Sequence, residues 1–134
     1  MKKKIRVIIL GSTGSIGETL LKTINLNQNK FKIILLTTNR NYKKIFKQAK
    51  TFNVKNIIIK DKKSYLKAKS DKDYKKYNIF NDFFCFKKIF KIKADYTMSA
   101  ISGIEGLIPT IKIIKYTKKI AIANKSQSYA VGFS

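Results

Sequence analysis

The stretch that decides the fold is Ile5-Arg6-Val7-Ile8-Ile9-Leu10 followed by Gly11-Ser12-Thr13-Gly14-Ser15-Ile16-Gly17. An apolar run of strand length passes directly into three glycines, and these open a segment with Ile16, Leu20, Leu21 and Ile24 at helical spacing. Strand, glycine turn and helix in that order is the setting of a dinucleotide-binding fingerprint. Gly11 lets the chain turn sharply out of the strand. Gly14 leaves room for a pyrophosphate to approach the backbone, and Gly17 allows the helix to pack tightly on the strand. The helix start adds free N–H groups and partial positive charge, and Ser12, Thr13 and Ser15 offer hydroxyl donors. The spacing is GxxGxxG, and a glycine turn of an α/β protein without any nucleotide is the competing reading. No Lys-Ser/Thr follows the last glycine, which argues against a P-loop.

Working outward, apolar runs alternate with helical patterns, the signature of βαβ units. The expected strands are Lys4 to Leu10, Phe31 to Thr37, Lys55 to Ile59, a short one at Asn78 to Phe80, Ala94 to Ala100 and Lys119 to Ala123. The expected helices run from Ser15 to about Gln28, Tyr42 to Phe52, Asp82 to Ile92 and Gly103 to Tyr116, with a Lys-rich surface helix and loop over Asp61 to Lys76. Another helix is expected to begin near Ser134. The pattern predicts one Rossmann-like α/β domain over residues 1–134, a doubly wound, mostly parallel sheet with helices on both faces.

The loop Thr37-Thr38-Asn39-Arg40-Asn41 bears on which nicotinamide cofactor fits. An NAD site offers an acid about 20 residues beyond the glycines for the ribose hydroxyls. That region holds no acid here: after Glu18 in the first helix the next one is Asp61. Arg40 stands in its place among Thr and Asn donors, and a guanidinium suits a 2′-phosphate. NADP(H) is therefore expected over NAD. The alternative is that Arg40 is one more solvated cation.

Composition bounds the rest. The chain has 134 residues and a net charge of +23, with 30 Lys and Arg against 7 Asp and Glu. Such charge invites a nucleic-acid reading. However, only Arg6 and Arg40 are Arg, the Lys are spread through every segment, and Lys, Ile, Asn, Phe and Tyr share A- and T-rich codons. No specific nucleic-acid partner is expected. No apolar run approaches the ~20 residues that span a bilayer, and the single Cys85 suits a reducing compartment. The expectation is no membrane and a cytoplasmic place, or a plastid-type stroma in a eukaryotic host.

A third region, Ala100-Ile101-Ser102-Gly103-Ile104-Glu105-Gly106-Leu107-Ile108-Pro109-Thr110, leads from a strand into a helix, and Ala123-Asn124-Lys125 ends the last strand. With the heptapeptide at 11–17, these stretches resemble the amino-terminal domain of the 1-deoxy-D-xylulose 5-phosphate reductoisomerase family, along essentially the whole chain. That resemblance implies an NADPH-dependent oxidoreductase of non-mevalonate isoprenoid biosynthesis. Such an enzyme converts deoxyxylulose 5-phosphate to 2-C-methyl-D-erythritol 4-phosphate with Mg²⁺ or Mn²⁺, as a homodimer. It places Thr13, Gly14, Ser15 and Ile16, within the Gly11–Gly17 turn, on the cofactor phosphates. It puts Asn39, Arg40 and Asn41 around the adenosine ribose and its phosphate, Asn124 near the nicotinamide end and Lys125 on the substrate, and Ser126 is expected among the cofactor-binding residues. Two departures stand out: Ser126-Gln127 replaces the family's Glu-Ser, and Asn39 stands where glycine is usual. The family's metal-binding acids, mobile loop and carboxyl-terminal domain would follow Ser134. The expectation is a truncated or split gene whose chain alone is inactive; the alternative is a stand-alone or decayed NADP(H)-binding module without catalysis.

Overall fold

The computed structural model describes residues 3–123 and the backbone of 128–132. Seven strands form one sheet: β1 Ile5–Leu10, β2 Phe31–Thr38, β3 Asn56–Ile59, β4 Asn78–Phe80, β5 Ala94–Ser99, β6 Thr117–Ala123 and β7 Ser128–Gly132. Their order is β4-β3-β2-β1-β5-β6-β7, with all neighbours parallel except β6 and β7. The chain winds from β1 outward to β4 and then returns to the other side of β1 through β5. The order of winding reverses between β1 and β5, which is where open α/β sheets leave a crevice at the strands' carboxyl ends.

Parallel strands covered on both faces are apolar on both faces, and β1 shows it. Val7 and Ile9 join one layer with Leu21 and Ile24 of α1 (Ser15–Asn25), Ile45, Phe46 and Ala49 of α2 (Tyr42–Phe52) and Ala68 of α3 (Lys62–Lys69). Ile8 and Leu10 join the other layer, with Phe83, Phe86 and Phe90 and with Ile113 of α5 (Leu107–Ile113). This is the Rossmann-like α/β architecture that the alternating pattern predicts, with the glycine turn at its centre.

Four elements differ from the sequence reading. Helix α1 ends at Asn25, and the polar run behind it forms a 3₁₀ turn over Gln28–Lys30. The segment expected as a helix over Asp82 to Ile92 is a 3₁₀ turn, Phe83–Cys85, followed by a single helical turn, α4 Phe86–Ile89. The Asp82 carboxylate accepts from Phe84 N at 2.9 Å, fixing the tight turn, while Phe83, Phe86 and Phe90 still face inward. The helix expected from Gly103 is α5 flanked by 3₁₀ turns at Ile104–Gly106 and Ile114–Tyr116. The residues near the end form strand β7 rather than opening a helix; Tyr and Val favour extended backbone, and β7 pairs antiparallel along the free edge of β6.

Candidate functional site

The glycine turn is tied down by β2 and α2. Gly11 N donates to Thr37 Oγ1 at 2.9 Å, and Ser12 N donates to Thr37 O at 2.9 Å. Ser12 Oγ reaches Gln48 Oε1 at 2.8 Å, while Gln48 Nε2 returns a bond to Ser12 O at 3.0 Å. Lys44 Nζ donates to Thr13 O at 2.8 Å and also pairs with Glu18. That lysine's hydrogen bond holds the Glu18 carboxyl below the usual carboxylate range. Thr13 Oγ1 shares a 2.6 Å hydrogen bond with Thr38 Oγ1. Each of these ties on the underside of the turn is made by protein.

The three glycines have three different surroundings. Gly11 adopts φ +78°, where an L side chain is strained, and a Cβ there would meet Ile101 Cγ1 at 2.9 Å. Gly17 packs so closely that a Cβ would meet Gly11 O at 2.4 Å and Ser12 Cα at 2.6 Å. Gly14 faces open space, with nothing within 4 Å of a Cβ built there. It also begins α1 with no side-chain cap. The N–H groups of Ser15, Ile16 and Gly17 precede the first intrahelical bond, from Glu18 N to Gly14 O at 2.9 Å, so they are left for an outside acceptor. An eleven-residue helix adds its dipole to that demand for an anion.

In front of the turn lies a cleft of about 700 Å³ along the carboxyl edge of the sheet. Gly11, Thr13 and Gly14 form one part of its lining, Thr38 and Asn39 another, and Phe84, Ile108 and Lys112 a facing wall. Its volume lies within the range of small-molecule and cofactor sites.

The predicted residues fall into three groups here. Gly11, Thr13 and Gly14 line the cleft, and exposed Ser15 stands at its helix start, with Ile16 half-buried beside it. Ser12, expected as a ligand donor, is fully buried and committed to Gln48 and Thr37. Asn39 lines the cleft and Arg40 is exposed, whereas Asn41 serves the fold, its Oδ1 accepting from Lys44 N at 3.2 Å to cap α2. Asn124, Lys125 and Ser126 lie outside the described residues.

Sequence distance also concealed an acid. Asp61, two residues beyond β3, donates its N–H to Asn39 O at 2.9 Å, and its carboxylate comes within 4.0 Å of Arg40 Nε. That carboxylate is already engaged as the cap of α3, accepting from Ser64 N at 3.0 Å and Ser64 Oγ at 2.8 Å, and these bonds hold its pKa down. Arg40 keeps 76% of its side-chain surface exposed and is free to turn toward a ligand. Lys44 and Gln48 were not identified from sequence, because nothing marks one lysine among many as the residue behind a turn. Among the described residues no group of three or more His, Cys, Asp and Glu converges as a metal site requires. Most of the acids serve as caps or ion-pair partners, as Asp95 does in accepting from Arg6 N at 2.9 Å and pairing with Lys118, and the two that line the cleft, Asp82 and Glu105, are joined there by no third ligand among the described residues. The described residues therefore do not fit a resident metal, whereas the open cradle at Gly14 fits a dinucleotide. No helix among them is long and apolar enough to cross a membrane.

Comparison with known proteins agrees with this geometry. The family profile of 1-deoxy-D-xylulose 5-phosphate reductoisomerase matches residues 7–130. The reductoisomerase of Pelagibacter ubique is 54% identical over 122 residues, which are 90% of this chain and 31% of that protein. In structure, the Zymomonas mobilis reductoisomerase in complex with NADPH superposes with a TM-score of 0.75 at 32% identity, covering 92% of this chain and 32% of its own. A second reductoisomerase structure, in complex with magnesium, gives a TM-score of 0.77 at 26% identity. The chain thus spans about a third of the length of the relatives it matches. It belongs to the 1-deoxy-D-xylulose 5-phosphate reductoisomerase family.

Proposed function

Since the chain is a reductoisomerase-family domain, we propose that it is the NADPH-binding part of an enzyme that converts 1-deoxy-D-xylulose 5-phosphate to 2-C-methyl-D-erythritol 4-phosphate. One observation carries the cofactor assignment: an uncapped helix start behind Gly14, held rigid from beneath and facing a cleft at the sheet's reversal point. The bound cofactor supplies a hydride; the chain's residues hold and orient it. The N–H groups of Ser15 and Ile16, with the backbone at Gly14 and the hydroxyls of Thr13 and Ser15, meet the pyrophosphate. Gly11 and Gly17 shape the turn that presents them. Arg40 and Asn39 take the adenosine ribose and its 2′-phosphate, with Asn41 holding the start of α2 beneath them. By family resemblance Asn124 attends the nicotinamide end and Lys125 the substrate phosphate or hydroxyls, where an ammonium suits anionic oxygen, and Ser126, a departure from the family's Glu, is a further cofactor contact.

The reaction also calls for a divalent cation to polarise the substrate's oxygens. The described acids do not assemble a site for one, so we propose that the 134-residue chain by itself binds NADPH without turning over substrate. The test is titration with NADPH and NADH side by side, followed by an NADPH-oxidation assay with deoxyxylulose 5-phosphate and Mg²⁺ or Mn²⁺. Preferential binding of NADPH with no turnover is expected. Equal affinity for both cofactors would sink the assignment to NADP(H), and steady turnover lost in Lys125→Ala would overturn the claim of inactivity. The homodimer of the family and a cytoplasmic setting complete the proposal.

A further inference from the structure

Phe84 occupies a position that core packing does not explain. Its neighbours Phe83 and Cys85 are buried, yet Phe84 itself is 77% exposed. It is held there by the turn itself, through the bond from Phe84 N to Asp82 Oδ1 at 2.9 Å. Lys112 Nζ, from α5, sits 3.5 Å from the ring centroid. Both side chains line the cleft that opens from the glycine turn. An exposed aromatic ring with a cation on it, at the mouth of a ligand-sized cleft, is a surface for a flat π system.

Strand order says which part of the ligand arrives there. If the pyrophosphate rests on the turn after β1 and the phosphorylated ribose on the loop after β2, the adenosine end runs outward past β3 and β4. The loops leaving those two strands bring Lys60 and Phe84 to the cleft. Resting on the cofactor reading above, we propose that Phe84 is the shelf on which the adenine of the cofactor stacks, with Lys112 fixing the ring from the side the base does not use. The shelf recognises a purine face; it is indifferent to the 2′-phosphate, which belongs to Arg40.

That division of labour provides the test. Phe84→Ala changes an exposed side chain and leaves the core intact. It should weaken NADPH and NADH alike, by roughly five- to a hundred-fold, the usual range for losing one base–aromatic stack, with the preference between them unchanged. The chain contains no tryptophan, so Phe84→Trp installs a single reporter at the shelf. Its fluorescence should be quenched by adenosine 2′,5′-bisphosphate and left unchanged by inorganic pyrophosphate. If Phe84→Ala bound both dinucleotides as the parent does, or if the Trp reporter ignored the bisphosphate while binding was measured calorimetrically, the shelf would be overturned and the cofactor site would stand. If the parent chain bound neither dinucleotide, the cofactor reading and the shelf would fall together.

Discussion

Helices α1 and α3 both leave the carboxyl edge of the same sheet, one after β1 and the other after β3, yet they begin in opposite ways. At α3 the Asp61 carboxylate accepts from Ser64 N and Ser64 Oγ, so the chain supplies its own anion to the helix start. At α2 the Asn41 side chain does the same for Lys44 N. At α1 the capping position is Gly14, with no side chain to offer and nothing within 4 Å of where one would be. A cap of the usual kind stabilises a helix by about 1 kcal/mol, so leaving it out is a cost to the fold. Of these three helices two are closed by the protein's own side chains, and the third starts open toward the cleft. The fold forgoes that stabilisation at the helix start that faces the cleft.

The sharpest way to test this contrast is within the turn itself. Gly14→Val keeps an extended backbone that any residue adopts, at φ −78° and ψ 176°, and fills only empty space. Thermal unfolding should stay close to that of the parent, while NADPH affinity by calorimetry falls by roughly a hundred-fold or more, the order expected when charge-assisted hydrogen bonds are displaced. Gly17→Ala should do the reverse. Its Cβ would press on backbone at Gly11 and Ser12, so denaturant unfolding should show a loss of about 2–3 kcal/mol or more, with binding reduced only through the fold. If the two variants behaved alike, the separate roles of the two glycines would be wrong.

Next in size is Arg40→Ala. Removing the guanidinium should cost NADPH about 1.5–3 kcal/mol, roughly ten- to a hundred-fold, and leave NADH nearly unchanged. Salt should narrow the gap between the cofactors in the parent and have little gap left to narrow in the variant. Asn41→Ala belongs to the capped side of the comparison. It should reduce stability by about 1 kcal/mol in a urea titration and change the cofactor preference far less than Arg40→Ala does.

The smallest effect is in pH. The carboxyls of Glu18, Asp61, Asp73 and Asp95 are each held below their ordinary range, the first by Lys44, the second by Ser64, the third by Lys76 and the last by Arg6 N. Unfolded, they bind protons more readily, so their contribution is fully present at neutral pH and is lost as pH falls through and below about 4. Melting temperature followed by circular dichroism should be flat from neutrality to mild acid and decline below that. The decline should be shallow, because these groups are largely exposed and screened. The Cys85 thiol stands apart: burial pushes it up to about 12, and it should react with a thiol reagent only when the chain unfolds.

The strand–turn–helix signal was legible because it is local. Ile8 to Leu10, then Gly11, Gly14 and Gly17, specify burial and backbone shape without any help from distant residues. The open place at Gly14 and the exposed Arg40 could be anticipated for the same reason. What escaped were relations made by the sheet. The strand order sets Asp61 beside Asn39 and Arg40 although more than 20 residues separate them in sequence. It also puts Lys44 and Gln48 behind the turn and draws Phe84 to Lys112. In a chain so rich in Lys, a single lysine that braces a turn carries no local mark. The broken helices at Phe83 and Leu107 were missed because apolar spacing records which residues face inward, and a 3₁₀ turn satisfies that nearly as well as a helix.

The ties beneath the glycine turn set the order of events at the site. Because Gly11 N and Ser12 N are bonded to Thr37 at the edge of the core, their hydrogens should exchange with solvent only when that part of the sheet opens. The amides of Ser15 and Ile16 have no such partner and should exchange rapidly until a dinucleotide covers them. The cradle is therefore complete before its occupant arrives, and little chain entropy remains to be lost at the encounter. A surface carrying +23 draws polyanions inward from a distance. If the proposed cofactor site holds, capture should accordingly be fast and steeply slowed by salt, with the bound lifetime changing in variants at Gly14, Arg40 and Phe84.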